Sequence, residues 1–148
     1  MFQPARMRPL ADDCSLTGIF SNAGIKKSSV IRVTGPAGLP ALLWFCRHGF
    51  EKVGYVRAGS RASDDGDLLL ITQTCGIELL DTILATGSHP RPGGILIAQT
   101  PDWAAGAASD PVHALLATRG YDVERCLHGR RKELHVARRR SRVLQRAA

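Results

Sequence analysis

The chain has 148 residues, enough for one domain that buries roughly two-thirds of the surface its unfolded form exposes, so its core needs no disulfide or metal staple. Its formal charge of +7 is unevenly placed: residues 1–118 carry ten basic and ten acidic side chains, residues 119–148 ten and three. No stretch approaches the eighteen or so apolar residues of a membrane helix. The cysteines Cys14, Cys46, Cys75 and Cys126 form no Cys-x-x-Cys pair and have no histidine at ligand spacing. A cytoplasmic protein is expected, with reduced, packing cysteines and no metal.

Residues 1–27 are broken by Pro4, Pro9, Gly18 and Gly24 and read as an N-terminal arm with a short helical piece near Asp12 to Phe20. Residues 28–34 read as a buried strand. Residues 39–48 read as a helix that Gly49 ends, with Pro40 in the first turn, where its missing N–H costs nothing. Val53–Arg57, Leu68–Thr72 and Gly94–Gln99 follow as strands, the last two being continuous apolar runs suited to burial on both faces. Between them Ile77, Leu80, Ile83 and Leu84 recur at helical spacing, and Gly87 fits the stop. A loop over residues 100–109 leads into a helix capped by Ser109 or Asp110 and closed by Gly120. Tyr121–Leu127 and Lys132–Ala137 alternate around His128-Gly129-Arg130-Arg131 as an antiparallel hairpin. The fold class is α/β: a Rossmann-like, mostly parallel sheet with helices on both faces and a C-terminal hairpin.

The turn Gly35-Pro36-Ala37-Gly38, between an apolar strand and an apolar helix, is the predicted ligand site. Such a turn brings backbone N–H groups and the positive end of a helix dipole up to a bound cofactor.

Over residues 28–139 the chain resembles a class I S-adenosylmethionine-dependent methyltransferase. The resemblance rests on VIRVTGPAG, DLLLITQT, PGGILIAQT and RGYDVERCLHGRRKELHVARR, in that order. It implies S-adenosylmethionine as cofactor, cradled by Gly35, Pro36, Ala37 and Gly38, with Arg57 flanking its adenosine half and Gln73 and Thr74 near the methyl group. The chain departs from the family at charged positions. The acid-x-G-x-G-x-G places hold Val33, Gly35, Ala37 and Leu39, and the acidic residue that takes the ribose hydroxyls is replaced by Arg57, which only donates. Nine residues, 58–66, join the second and third strands, too few for the helix and strand the family places there, so one edge strand is expected to be missing, leaving an edge through which a homodimer could pair.

A rival reading stays open. Thr34-Gly35-Pro36-Ala37-Gly38-Leu39-Pro40-Ala41 also matches the T-G-x-x-G-x-x-(G/A) turn of short-chain dehydrogenase-like proteins, and Arg57 stands where these often hold the 2′-phosphate of NADP. Their Tyr-x-x-x-Lys pair is missing, since Tyr121 is followed by Arg125.

Methyl transfer is catalysed largely by positioning, so an obvious base is not required. Candidate catalytic residues are Gln73, Thr74 and Cys75, in the loop beyond the third strand. Gln73 has a second reading as a cofactor contact, Thr74 as a helix N-cap, and Cys75 as a packing residue. Trp103 either covers the pocket or binds substrate. His48 and His128 read as surface residues, His89, His113 and His135 have no patterned partner, and Asp64-Asp65-Gly66-Asp67 reads as a turn. Arg138-Arg139-Arg140, Arg142 and Arg146 form a basic run, with residues 140–148 read as a tail, and residues 138–146 are the candidate contact for nucleic acid or an acidic protein.

Overall fold

The computed structural model describes residues 13–57, 65–74, 76–101, 109–129 and 132–141. Within them the elements run α1 (Asp13–Asn22), β1 (Val30–Thr34), α2 (Gly38–Arg47), β2 (Lys52–Tyr55), β3 (Gly66–Ile71), α3 (Ile77–Thr86), β4 (Pro90–Pro101), α4 (Ser109–Thr118), β5 (Tyr121–Gly129) and β6 (Lys132–Arg139). One sheet of order β2-β1-β3-β4-β6-β5 contains all six strands. Strands β1 to β4 pair in parallel, and β6 enters antiparallel between β4 and β5. This is the expected α/β sheet with its C-terminal hairpin. Among the described residues β2 is the edge beyond β1, as the short 58–66 connection predicts, and it is only four residues long with exposed Lys52, features that blunt an edge.

The side-chain alternation of the central strands divides the core in two. Leu68, Ile95, Ile97, Leu134 and Val136 face α1 and α2, while Leu69, Ile71, Leu96, Ala98 and Ala137 face α3 and α4. On the second side Leu80 and Leu84 of α3 and Val112 and Leu116 of α4 are buried, as helical spacing requires. The Tyr121 hydroxyl lies 2.6 Å from His89 Nδ1, and burial raises its pKa although Arg139 opposes the shift.

Two departures from the sequence reading concern the ends of the chain. The sequence reads residues 1–27 as an N-terminal arm, of which 13–27 are described. Instead Ile19, Phe20 and Ile25 are buried in the first core, and the Phe20 ring lies 5.2 Å from that of Phe45 and 5.8 Å from that of Trp44. Of the two glycines in this segment, Gly18 lies within α1, and Gly24 has φ +84° just past its end, a conformation suited to glycine. At the other end, Arg138 and Arg139 belong to β6 and Arg140 follows directly, so the start of the basic run is built into the fold. Arg138 donates to Glu124 at 2.8 Å and to the Gly93 carbonyl at 2.9 Å, Arg139 to the Pro90 carbonyl at 2.6 Å, and Arg140 to Asp122 at 3.0 Å. Arg142 and Arg146 lie outside the described residues. No helix among the described residues is long and apolar enough to cross a membrane.

Asp67 fastens the amino ends of three strands. A register irregularity between Gly66 and Leu68 accompanies it; its carboxylate accepts from Val30 N–H at 2.8 Å and from Arg91 Nε at 2.8 Å. Asp65 pairs with Arg32 at 3.2 Å, so the described part of the acidic turn is used in ion pairs. The Arg91 hydrogen bond, followed by that from Val30, holds the Asp67 carboxyl below its ordinary pKa. A depressed carboxyl stabilises the fold above its unfolded pKa, near 4, and loses that contribution as pH falls through the folded value. Asp67→Asn is therefore expected to lower the melting temperature at neutral pH, with the gap to wild type closing below about pH 4. Melting curves across pH check this, and a gap that persists unchanged in acid would contradict it.

Candidate ligand crevice at the carboxyl ends of the parallel strands

In open α/β sheets, ligands bind beyond the carboxyl ends of the strands. At that end β1 finishes at Thr34 and Gly35 turns the chain with φ +107°. A Cβ on Gly35 would collide with the Thr72 carbonyl and stand 2.7 Å from Thr72 Oγ1, so the glycine is required both by conformation and by space. Thr72, 4% exposed, accepts from Ala37 N–H at 3.0 Å and donates to the Thr34 carbonyl at 3.2 Å. Gly38 N–H is bonded to the Gly35 carbonyl at 3.1 Å, and Pro36 has no N–H. Donors that the sequence reading assigned to a cofactor are thus engaged within the turn itself.

Tyr55, the last residue of β2, leans over the same turn. Its hydroxyl donates to the Gly35 carbonyl at 3.3 Å, and a Cβ on Gly38 would collide with its ring. The Thr34 hydroxyl donates to the Val56 carbonyl at 2.9 Å, which holds the exit of β2 beside that of β1. Arg57 follows two residues beyond β2 and is exposed at this end of the sheet.

The exit of β3 meets that of β4. Gln73 adopts φ +43°, unusual for a residue with a Cβ and costing on the order of 1–3 kcal/mol, and its N–H is bonded to Gln99 Oε1 at 3.2 Å. Thr74 is fully buried, with N–H and hydroxyl both bonded to the Gln99 carbonyl at 3.0 and 3.2 Å. It is not the cap of α3, whose N-cap position is Gly76. Cys75 and Trp103 lie outside the described residues.

Beside the turn, between α1, α2 and the sheet, is a cavity of about 260 Å³. Phe20, Trp44, Leu70 and Ile97 make it apolar, and Thr72 and Gln99 contribute polar groups. Its volume falls just short of the roughly 300–1,000 Å³ of small-molecule pockets, which suits one ring system of a larger ligand. The structure therefore gathers Gly35, Ala37, Gly38, Gln73 and Gln99 at one end of the sheet, with Tyr55 and Arg57 at its edge.

Gln99 and Tyr55 are residues the sequence reading missed. Gln99 carried a signal, as the polar end of the apolar run Gly94–Ala98; Tyr55 carried none, because only the pairing of β2 with β1 brings it over the turn. A larger omission lies on the opposite face of the sheet, where His113, Cys126 and His135 converge although no metal-ligand spacing links them in sequence. The convergence draws one residue from each of three elements.

No protein-family model matches the chain, and no curated protein matches it in sequence. Solved structures do match its fold. Ribosomal protein L11 methylase from Lactobacillus delbrueckii subsp. bulgaricus is 13% identical, with a TM-score of 0.64 over 85% of this chain and 77% of that one. A methyltransferase from Pyrococcus furiosus is 12% identical, with a TM-score of 0.52 over 95% of this chain and 88% of that one. TYW2 from P. horikoshii, solved in complex with MeSAdo, is 12% identical, with a TM-score of 0.51 over 76% of this chain and 57% of that one. The fold is that of class I methyltransferases.

Gly35 and Gly38 are required for different reasons, which their substitution separates. Gly35→Ala forces both a positive φ and a collision with buried Thr72, and is expected to destabilise by at least about 2 kcal/mol. Gly38→Ala displaces only the Tyr55 ring, which is 46% exposed and held there by one hydrogen bond of 3.3 Å, so its cost is expected to be smaller. Urea unfolding of the two variants measures the difference; equal losses would mean that Tyr55 is held as firmly as Thr72.

Proposed function

We propose that the chain is a divergent S-adenosylmethionine-dependent methyltransferase whose cofactor lies against the Gly35–Gly38 turn. The observation that carries the reading is the apolar cavity opening beside that turn, with Ala37 of the turn and the carboxyl ends of β3 and β4 in its wall. In this placement the adenosine half lies near Tyr55 and Arg57, one ring system enters the cavity, and Gln73 and Gln99 stand near the reacting sulfonium. Gln73 is held in a strained conformation, as residues at ligand sites often are. No general base is needed if the acceptor is held in line with the methyl group, so the work assigned to these residues is orientation and exclusion of water.

The grip on the cofactor is weak in charge. Val33 and Arg57 stand where carboxylates are expected, and each charge-assisted hydrogen bond forgone costs about 1.5–3 kcal/mol, roughly tenfold or more in affinity. The Tyr55 hydroxyl, able both to donate and to accept, offers a ribose hydroxyl one neutral bond in their place. Dinucleotide binding is not favoured: the sheet carries an antiparallel β6 inside it, whereas the dinucleotide-binding sheet runs 3-2-1-4-5-6 in parallel.

A second reading is favoured by one specific observation, that Thr72 and Tyr55 already engage the turn. On that reading the domain is a non-catalytic partner, reaching acidic protein or nucleic acid through residues 138–146. Calorimetric titration with S-adenosylmethionine, S-adenosylhomocysteine and NADPH separates the two. Saturable binding of the first two, lost in Gly38→Val without loss of fold, is expected; binding of none would favour the partner role, and a preference for NADPH would overturn both.

A further inference from the structure

On the α3/α4 face of the sheet, away from the crevice, three side chains with metal-ligand chemistry converge from three elements. His113 comes from α4, Cys126 from β5 and His135 from β6. His113 Nε2 lies 3.2 Å from His135 Nδ1, and Cys126 Sγ lies 3.5 Å from the same nitrogen. All three ligand atoms fall within 4.8 Å of one another. The pairing of Cys126 with His135 puts both side chains on one face of the hairpin.

From these distances we infer that His113 Nε2, Cys126 Sγ and His135 Nδ1 form a zinc site, with its fourth position left to water or an exogenous donor. Tetrahedral zinc, with Zn–N bonds of about 2.0–2.1 Å and a Zn–S bond of about 2.3 Å, sets two nitrogens about 3.3 Å apart and nitrogen and sulfur about 3.6 Å apart. The two separations made by His135 Nδ1, 3.2 and 3.5 Å, match these values, and the His113–Cys126 separation lies within 4.8 Å. Two imidazoles and a thiolate suit zinc and disfavour magnesium and calcium, which prefer oxygen.

The surroundings of His135 supply the second requirement of such a site. Its ring is fully buried, with Nε2 3.0 Å from Thr100 Oγ1 and 3.4 Å from Glu133 Oε1. A proton on Nε2 donated to that pair leaves the Nδ1 lone pair directed at the metal position, the arrangement of a carboxylate–histidine–zinc triad. Glu133, 1% exposed, is itself buried against the histidine it orients, which gives a reason for a carboxylate in an otherwise apolar layer. Glu133 and Thr100 are positioning residues, while His113 and Cys126, each half-buried, leave the site open to an entering ion.

Alternation along the strands separates this site from the ligand crevice. Gln99 and Leu134 line the cavity on one face of the sheet, and their neighbours Thr100 and His135 point to the other. Zinc there ties α4 to the β5–β6 hairpin, so the ion acts as a clip on the fold and stabilises it by its binding energy.

The test uses the full chain. Purified protein is expected to retain about one zinc per chain, and replacement by Co²⁺ to give the visible bands of four-coordinate cobalt with a near-ultraviolet thiolate charge-transfer band. Cys126→Ser is expected to abolish the charge-transfer band, His113→Ala to abolish stoichiometric binding, and Glu133→Gln to weaken zinc affinity about 10–100-fold. Cys46→Ser, on the exposed surface of α2, is expected to leave all signals intact. Far-ultraviolet dichroism of each variant shows whether it is folded, and His113→Ala, on a half-buried helix position, keeps the test decisive if Cys126→Ser misfolds. Protein that neither retains zinc nor gives a cobalt spectrum would overturn the site, as would cobalt bands unchanged in His113→Ala and Cys126→Ser.

Discussion

The close approach of Gly35 to Thr72 governs the functional end of this molecule. With no Cβ at Gly35, the exit of β1 can lie directly on that of β3, and Thr72 then satisfies one donor and one acceptor of the turn. That contact fixes where α2 begins, and α2 with α1 forms one wall of the apolar cavity. The turn is kept in shape by internal hydrogen bonds, and Val33 and Arg57 stand where the resemblance implies carboxylates.

Both faces of β4 and β6 are put to use, for different purposes. On one side Gln99 and Leu134 border the ligand crevice, and on the other Thr100, Glu133 and His135 build a polar cluster within an apolar layer. Burying such groups is costly unless each is paired, so their presence in the sheet calls for a specific arrangement. The zinc clip supplies one and places a rigid anchor beneath the carboxyl end of β4.

Periodicity alone made most of the sheet legible. The apolar runs at Leu68–Thr72 and Gly94–Gln99 fall on β3 and β4, the helical spacing of Ile77, Leu80, Ile83 and Leu84 on α3, and the hairpin on β5 and β6, although β4 starts at Pro90, where prolines and glycines read as a turn in the sequence. Three other features depended on contacts between elements distant in sequence. The packing of α1 was hidden by Gly18 within it and Gly24 just beyond it, and the pairing of Arg138–Arg140 was hidden because their partners Glu124, Gly93, Pro90 and Asp122 come from neighbouring strands and turns. His113, Cys126 and His135 lack any local spacing rule because three elements supply one ligand each. At the crevice, the glycine turn was visible in sequence, whereas its engagement by Thr72 and Tyr55 required the strand order.

The central claim is that an S-adenosyl ligand binds at the carboxyl ends of β1, β3 and β4, and amide chemical shifts test it residue by residue. Titration of ¹⁵N-labelled protein with S-adenosylhomocysteine is predicted to move the resonances of Gly35, Ala37, Gly38, Gln73 and Gln99 together, along one saturable curve. Perturbations confined to other residues, or no saturable shift in this set, would contradict the account.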